Sequence, residues 1–286
     1  MNKKIVLLRR KRLGNTSVNA VKEFSKNNIE VVRNDKPIPQ DSDLLIRWGC
    51  TSKVSSKNTL NKSNAIHAVN DKINSRLKME ENNISTPKVF KSSAEAKYPC
   101  IMRPTKHSQG KNLWLCNSHA DVLRFSNKKI IKKLGYYLSE YIEKEREFGV
   151  FIFNDRITSV IEKVGKNSES NKSIAWNVSQ GTHSFENINW TDWPIDVCVE
   201  SLKAIKLFDL DFGRVDVIYK DGKAYILEIN SAHSLTSPYR QEVFAKCVDY
   251  LLENGKVQKE IEFEKVKTYK SIIHPALRPN NNGLNL

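Results

Sequence analysis

The apolar positions of the first fifty residues fall in short clusters separated by polar links. Lys4 to Leu8 is a brief aliphatic run, too short for a helix and suited to a buried strand. Val18, Val21 and Phe24 share one face of a helix that Thr16 and Ser17 can cap and that runs to Lys26. Ile29 to Val32 and Leu44 to Trp48 predict two more strands, the second ended by Gly49. Strand, helix, strand, strand with short links predicts a small α/β layer with parallel pairing. The Ser-, Lys-, Asn- and Thr-rich stretch 51–64 predicts a loop.

A helix follows from about Ser63 to Asn82, stopped ahead of Pro87. Cys100 to Met102 and Leu113 to Leu115 predict an outgoing and a returning strand around a loop holding Gly110, and Ser118 to Ser126 a helix. From Lys129 to Gly213 the pattern is mostly strand-like, with a helix near Ile195 to Phe208. Arg214 to Tyr219 and Lys223 to Ile229 form a hairpin around Asp221-Gly222, the strongest short turn signal in the chain. Pro238 to Glu253 predicts a last long helix. The polar segment from Thr268 onward predicts a loosely held tail.

Composition narrows the class. In 286 residues, 39% hydrophobic and 9% aromatic side chains suffice for cores, which excludes wholesale disorder and suits one to three compact units. No run of about 18 apolar residues exists, so no membrane span is expected. The first apolar run is too short for a secretory signal. Five cysteines without a C-x-x-C spacing read as reduced thiols of a cytoplasmic protein, not as a disulfide frame or zinc site. The net charge of +15 is uneven: residues 1–80 hold 17 basic and 7 acidic side chains, so +10, and residues 81–286 hold 30 and 25, so +5. A basic N-terminal third suits nucleic acid, a phosphorylated metabolite or an acidic peptide, or is a solvated lysine surface. The run Arg9, Arg10, Lys11, Arg12 follows the first strand at its carboxyl end, where α/β sheets hold ligands.

The sharpest chemical cluster is Asp216, Glu228 and Asn230. Glu228 and Asn230 are two apart and leave one face of one strand. A three-residue loop, Asp221-Gly222-Lys223, sets Asp216 opposite Glu228 on that face, whereas a strict two-residue loop sets it opposite Leu227. Two carboxylates and an amide oxygen are hard ligands that suit Mg²⁺. Val215, Val217, Leu227 and Ile229 are expected to bury the other face. Arg214 shares the face of Asp216 and can meet an anion there. Upstream, Ser108-Gln109-Gly110-Lys111 offers backbone N–H groups and an ammonium to phosphates. Glu140, Tyr141 and Ile142 can present backbone to an adenine edge, and Glu147, seven after Glu140, a carboxylate to ribose hydroxyls. Taken alone, Glu143 to Glu147 reads as an exposed charged turn. His107, His183 and His233 lack zinc-like spacing, and His233 reads as a substrate contact, a base or a structural histidine.

The order of these parts resembles the ATP-grasp superfamily, in its carboxylate–amine ligase branch of RimK-type glutamate ligases and D-alanine–D-alanine ligases, over roughly residues 69–255. The resemblance implies an α/β (α+β) ATP-grasp fold behind a small N-terminal Rossmann-like domain. The units would be 1–68 as that first domain, 69–135 as the central subdomain with the phosphate loop, 136–267 as the C-terminal subdomain with the metal site, and 268–286 as the tail. It implies ATP and Mg²⁺ as cofactors, with Mn²⁺ able to substitute. Lys72, Arg103, Ser108, Gly110 and Lys111 would meet the phosphates, Glu140 to Ile142 the adenine, and Glu147 the ribose. Asp216, Glu228 and Asn230 would hold metal, and Lys163 and Arg214 would serve the terminal phosphate and the activated carboxylate. Arg103 stands where the family has lysine, and Ser231-Ala232-His233-Ser234 where it has Pro-Gly. Asn177, Ser231 and His233, with Arg9, Arg10, Arg12 and Arg47 from the first domain, would face an anionic substrate. The implied activity joins a carboxylate of an amino acid or peptide to an amine through an acyl phosphate. The implied protein is cytoplasmic, without a membrane partner, and analogy with related ligases implies a homo-oligomer. The alternative is a nucleotide-binding module that holds nucleic acid or a protein on its basic face.

Overall fold

The structure is a computed structural model that describes residues 3–11, 17–54, 56, 58–106, 112–167, 173–176 and 181–278. The first aliphatic runs form strands β1 (Lys4–Arg9), β2 (Asn28–Arg33) and β3 (Leu44–Trp48), joined at the edge by β4 (Thr59–Leu60). They pair in the order β2-β1-β3-β4, all parallel, as the short links predict. One face of this sheet carries Ile5, Leu7 and Ile46 into a core shared with the last helix, and the other buries Val6, Leu8 and Leu45.

The segment predicted as a helix after Thr16 is a 3-10 helix, Ser17–Glu23. Val18 and Val21 are buried, but Phe24 lies beyond its end and is 36% exposed. In a 3-10 helix residues three apart lie on one face, which buries Val18 and Val21, and Phe24 leaves that face because the helix ends at Glu23. The predicted loop 51–64 contains β4. The predicted single helix Ser63–Asn82 is two, α1 (Ser63–Asn70) and α2 (Lys72–Glu81), broken at an extended Asp71. The Asp71 carboxylate accepts from the Asn74 backbone N–H, so Asp71 caps α2. The break makes Lys72 the first residue of a new helix.

A second sheet is built from β5 (Val89–Phe90), β6 (Cys100–Pro104), β7 (Trp114–Cys116) and β8 (Tyr136–Glu140), in the antiparallel order β5-β8-β6-β7. Helix α3 (His119–Ser126) and a short α4 (Lys129–Leu134) cover one face. Helix α4 falls in the stretch read as strand-like. Its Lys-Ile-Ile-Lys-Lys-Leu sequence buries only Ile131 fully, a one-turn amphipathic pattern too short to reveal a period.

Strands β9 (Arg146–Phe153), β10 (Arg156–Gly165), β11 (His183–Ile188), β12 (Phe212–Lys220) and β13 (Lys223–Asn230) form a third, antiparallel sheet in the order β11-β10-β9-β12-β13. Helix α5 (Ile195–Leu207) packs on one face through Val197, Leu202 and Ile205. Helix α6 (Pro238–Asn254) ties this sheet to the first one: its Val243, Phe244 and Val248 share a core with Leu7 and Phe153. Asp249 on α6 accepts hydrogen bonds from Ser25 Oγ, Lys26 N and Asn27 Nδ2.

The segment from Thr268 is docked through residue 278, not loose. Ile272 and His274 are fully buried, and Ile157 of β10 donates to the Ile272 carbonyl and accepts from the His274 N–H. Two adjacent isoleucines inside a polar stretch outweighed its average composition. All five cysteines are free and buried. No helix among the described residues is long and apolar enough to cross a membrane.

Candidate active site

The second and third sheets meet through the segment 141–145, which carries the chain from β8 into β9. Between them lies a cleft of about 560 Å³. One part of its wall is apolar, with Ile101, Leu113, Ile142, Trp176, Ile218 and Leu227. The rest is charged, with Lys72, Arg76, Arg103, Lys144, Glu147, Lys163, Arg214, Asp216 and Glu228. A cleft that offers apolar surface together with clustered cations and carboxylates suits a base attached to phosphates.

The carboxylates meet by a route that loop length did not predict. Asp221 and Gly222 both have positive φ, +48° and +74°, and form a strict two-residue turn with Lys220 opposite Lys223. Val217 pairs with Ile226, then the register shifts and Asp216 pairs with Glu228. Leu227 is the extra residue of a β-bulge. It leaves Leu227 and Glu228 both lining the cleft, while Ile226 and Ile229 stay in the core. Leu227 therefore does not join Val215, Val217 and Ile229 on the buried face.

Asn230 closes the group, its Nδ2 3.1 Å from Asp216 Oδ2 and 3.2 Å from Glu228 Oε1. Arg214 donates to Asp216 Oδ2 at 2.9 Å, with Nε 2.8 Å from Oδ1. Gly149 on β9 makes room for this: a Cβ there would stand 3.2 Å from Arg214 Cδ. Lys72 pairs with Glu228. Burial raises the Asp216 carboxyl above its ordinary range, against Arg214 and Lys163. Burial works on Glu228 in the same sense, but Lys72, Asn230 and Arg103 outweigh it and hold it low. No trio of His, Cys, Asp or Glu side chains among the described residues could hold a metal by itself. Two carboxylates and an amide fit Mg²⁺, which takes its remaining ligands from phosphates and water.

Glu147 is not part of an exposed turn: it is 3% exposed, and both Lys144, at 2.6 Å, and Lys163 pair with it. The two lysines shift in opposite directions. Burial lowers Lys144, which Lys163 also repels. Lys163 faces Asp216 as well as Glu147, and these charges raise it despite burial. Lys144 also lies 4.8 Å from the Trp176 ring centroid. Sequence reasoning missed Lys144, because the alternating charges of 143–147 hide which members turn inward. Arg76 was missed too, although its place four residues after Lys72 puts both on one helix face. Glu140 is exposed, with its Oε2 3.2 Å from the Lys88 N, and the backbone of Tyr141 and Ile142 follows it along the cleft. Arg103 lines the cleft, and burial lowers it, with Arg76 adding repulsion and Glu228 opposing.

The first sheet contributes less than predicted. Arg47 does not face the cleft: it is 4% exposed, and its guanidinium donates to the carbonyls of Cys50 at 3.4 Å, Ser52 at 2.6 Å and Val54 at 3.0 Å. Arg9 ends β1 and Arg10 follows it, and both lie outside the cleft wall, Arg10 exposed. Ser231 is buried. His233 packs against Trp48, Phe151 and Phe212, and burial with Arg214 nearby pushes it down to about 3. It is a neutral core ring at physiological pH, too weak a base for proton abstraction. Arg12, Ser108, Gly110, Lys111 and Asn177 lie outside the described residues, as does His107.

Comparison with known proteins identifies the fold and the family. A D-alanine–D-alanine ligase of Fusobacterium nucleatum subsp. nucleatum is 25% identical over 165 residues, and that match spans about half of each chain, 54% of this one and 53% of the relative. The structure of D-alanine–D-alanine ligase from Bacillus anthracis superposes with a TM-score of 0.64 at 15% identity, covering 88% of this chain and 97% of that one. The ATP-grasp ligase PsnB, solved with a phosphomimetic variant of its minimal precursor, Mg and ADP, superposes with a TM-score of 0.59 at 12% identity, covering 86% and 98%. Residues 51–246 match the RimK-like ATP-grasp domain, and the chain belongs to that family.

Proposed function

We propose that the protein is an ATP-dependent ligase that joins a carboxylate to an amine, with ADP and phosphate as co-products. The observation that carries this reading is the convergence of Asp216, Glu228 and Asn230 beside Lys72 and Arg214, in a cleft that is also lined by apolar side chains. In this reaction class the carboxylate is first phosphorylated, and the amine then displaces phosphate from the acyl carbon. Bound Mg²⁺ would supply charge neutralisation for the transferring phosphoryl group. Asp216, Glu228 and Asn230 would hold it, since a binding module that consumes no ATP has little need of such a set.

The chain's own groups do the rest. Ile101, Ile142, Trp176 and Leu227 enclose the base, and the backbone of Tyr141 and Ile142 can read its edge. Glu147, freed from one of its lysines, accepts from ribose hydroxyls. Lys72, Arg103 and Lys163 bring cations to the phosphates. Arg214, steered by Asp216, stabilises the oxyanion of the tetrahedral adduct. The acid is an anionic amino acid or peptide: the cleft is lined by six cations, Lys72, Arg76, Arg103, Lys144, Lys163 and Arg214, against four carboxylates, Glu140, Glu147, Asp216 and Glu228. The macrocyclase MdnC, whose crystal structure is bound with the precursor peptide MdnA, supports the peptide alternative by likeness of fold.

The test uses pure protein, Mg²⁺, ATP, pools of amino acids and acidic peptides, and hydroxylamine as a trap. ADP together with a hydroxamate, both absent from Asp216→Asn, is the expected result. ADP formed without any hydroxamate or amide would point to phosphoryl transfer to another acceptor and would overturn the ligase reading.

A further inference from the structure

The bulge at Leu227 is held from outside the hairpin. Its neighbour Ile226 donates its N–H to the Ser85 carbonyl at 2.8 Å, and the Ile226 carbonyl accepts from Thr86 Oγ1 at 2.8 Å. Leu227 has no partner in the ladder. Its carbonyl accepts instead from Arg76, Nε at 3.3 Å and NH2 at 3.2 Å. Glu228 then pairs with Lys72. Three consecutive residues of β13 are thus gripped by residues 72–86. Arg76 is 5% exposed and makes no ion pair among the described residues, so a buried charge is committed to one carbonyl.

With a two-residue turn, a regular ladder would put Leu227 opposite Asp216 and turn Glu228 into the core. The bulge prevents this, and bulges need an external partner for the group they leave unpaired. We propose that Arg76 is a positioning residue: by holding the Leu227 carbonyl it keeps the bulge, and the bulge keeps Glu228 facing Asp216 as a metal ligand. The proposal rests on the metal reading of Asp216 and Glu228 given above. Arg76 acts on the metal site through backbone, not by contact with phosphate.

The test separates these. Mn²⁺ affinity of the ADP complex is measured by electron paramagnetic resonance of free Mn²⁺, and ADP affinity without metal by calorimetry. Arg76→Met is expected to weaken Mn²⁺ binding about 10-fold or more, the range seen when groups that orient a ligand are lost. Metal-free ADP affinity should stay within about twofold, and Arg76→Lys, which keeps a donor, should recover most of the Mn²⁺ affinity. Thr86→Val, outside the cleft wall, should weaken Mn²⁺ binding by roughly threefold through the same bulge. It stands in if Arg76→Met does not fold. Unchanged Mn²⁺ affinity in both variants overturns the proposal. So does an equal loss of metal-free ADP affinity in Arg76→Met, which would make Arg76 a phosphate contact. Glu228→Gln is run alongside: if it loses Mn²⁺ while Arg76→Met does not, only the positioning role fails. If Glu228→Gln also binds Mn²⁺ normally, the metal reading fails with it.

Discussion

Asp216 faces Glu228 across the β12–β13 hairpin because Leu227 steps out of the ladder between them. The pair is asymmetric. Burial raises Asp216, while Lys72 lowers Glu228. Each also has its own cation, Arg214 for Asp216 and Lys72 for Glu228. Removing either carboxylate charge should stop ATP turnover without unfolding the chain. Asp216→Asn and Glu228→Gln are expected to lower ADP formation at least about 100-fold, the scale of several kcal/mol in transition-state stabilisation. Asparagine still accepts from Arg214, so Asp216→Asn should keep its circular dichroism spectrum. A variant with normal ADP formation at saturating Mg²⁺ would remove these residues from the mechanism.

How far the sequence leads is clear at this hairpin. Asp221-Gly222 announced the turn and the spacing Glu228-x-Asn230 announced the shared face, since both follow from local geometry. The bulge was not legible. Nothing in Val-Asp-Val or Ile-Leu-Glu marks a skipped residue, and its stabilising partners, Ser85, Thr86 and Arg76, lie some 140 to 150 residues away in the chain. The same limit applies to Arg47 and Lys144. A basic side chain reads the same whether it faces a ligand or binds three loop carbonyls. The parallel first sheet and the apolar strand cores were legible, because burial of aliphatic runs is set by the runs themselves.

The first sheet offers a contrast between two arginines. Arg10 is exposed at the carboxyl end of β1, whereas Arg47 is buried against three carbonyls. Arg47→Met should destabilise the fold by roughly 1–3 kcal/mol, because buried carbonyls lose their donor. It should leave the KM for ATP unchanged. Arg10→Glu combined with Arg12→Glu should spare stability and ATP affinity and raise the KM of the acid substrate. Urea denaturation and steady-state kinetics on both proteins check this. An unchanged acid KM in the double variant would detach the basic run from substrate binding.

The docked segment 268–278 should matter to stability. Ile272 is fully buried against the core that includes Ile157 and Val197. Ile272→Ala is expected to cost about 2–5 kcal/mol by urea denaturation, the range for large-to-small changes in a packed core. A cost below about 0.5 kcal/mol, typical of surface positions, would mean that the segment is as loose as its composition suggests.

Glu147 gives the clearest pH dependence. Burial opposes its ionisation, but Lys163 and Lys144 outweigh this and hold its carboxyl below the ordinary value of 4.5. A carboxyl lowered on folding contributes stability that is fully present above its unfolded value and is lost as pH falls through its folded value. Glu147→Gln leaves two buried lysines without a carboxylate and should cost on the order of 3 kcal/mol at pH 7. That difference from the unaltered protein should shrink as pH drops below about 4.5, where the glutamate itself begins to lose its advantage. Both proteins should also lose stability from about pH 6.5 downward, since His233 and His274 are each pushed to about 3 by burial and only the unfolded chain takes up their protons. This second effect is common to both and cancels in the difference. Thermal unfolding from pH 3.5 to pH 7.5 resolves the two. A difference that stays constant across the whole range would show that Glu147 does not titrate with folding and that the lysine pair does not hold it ionised.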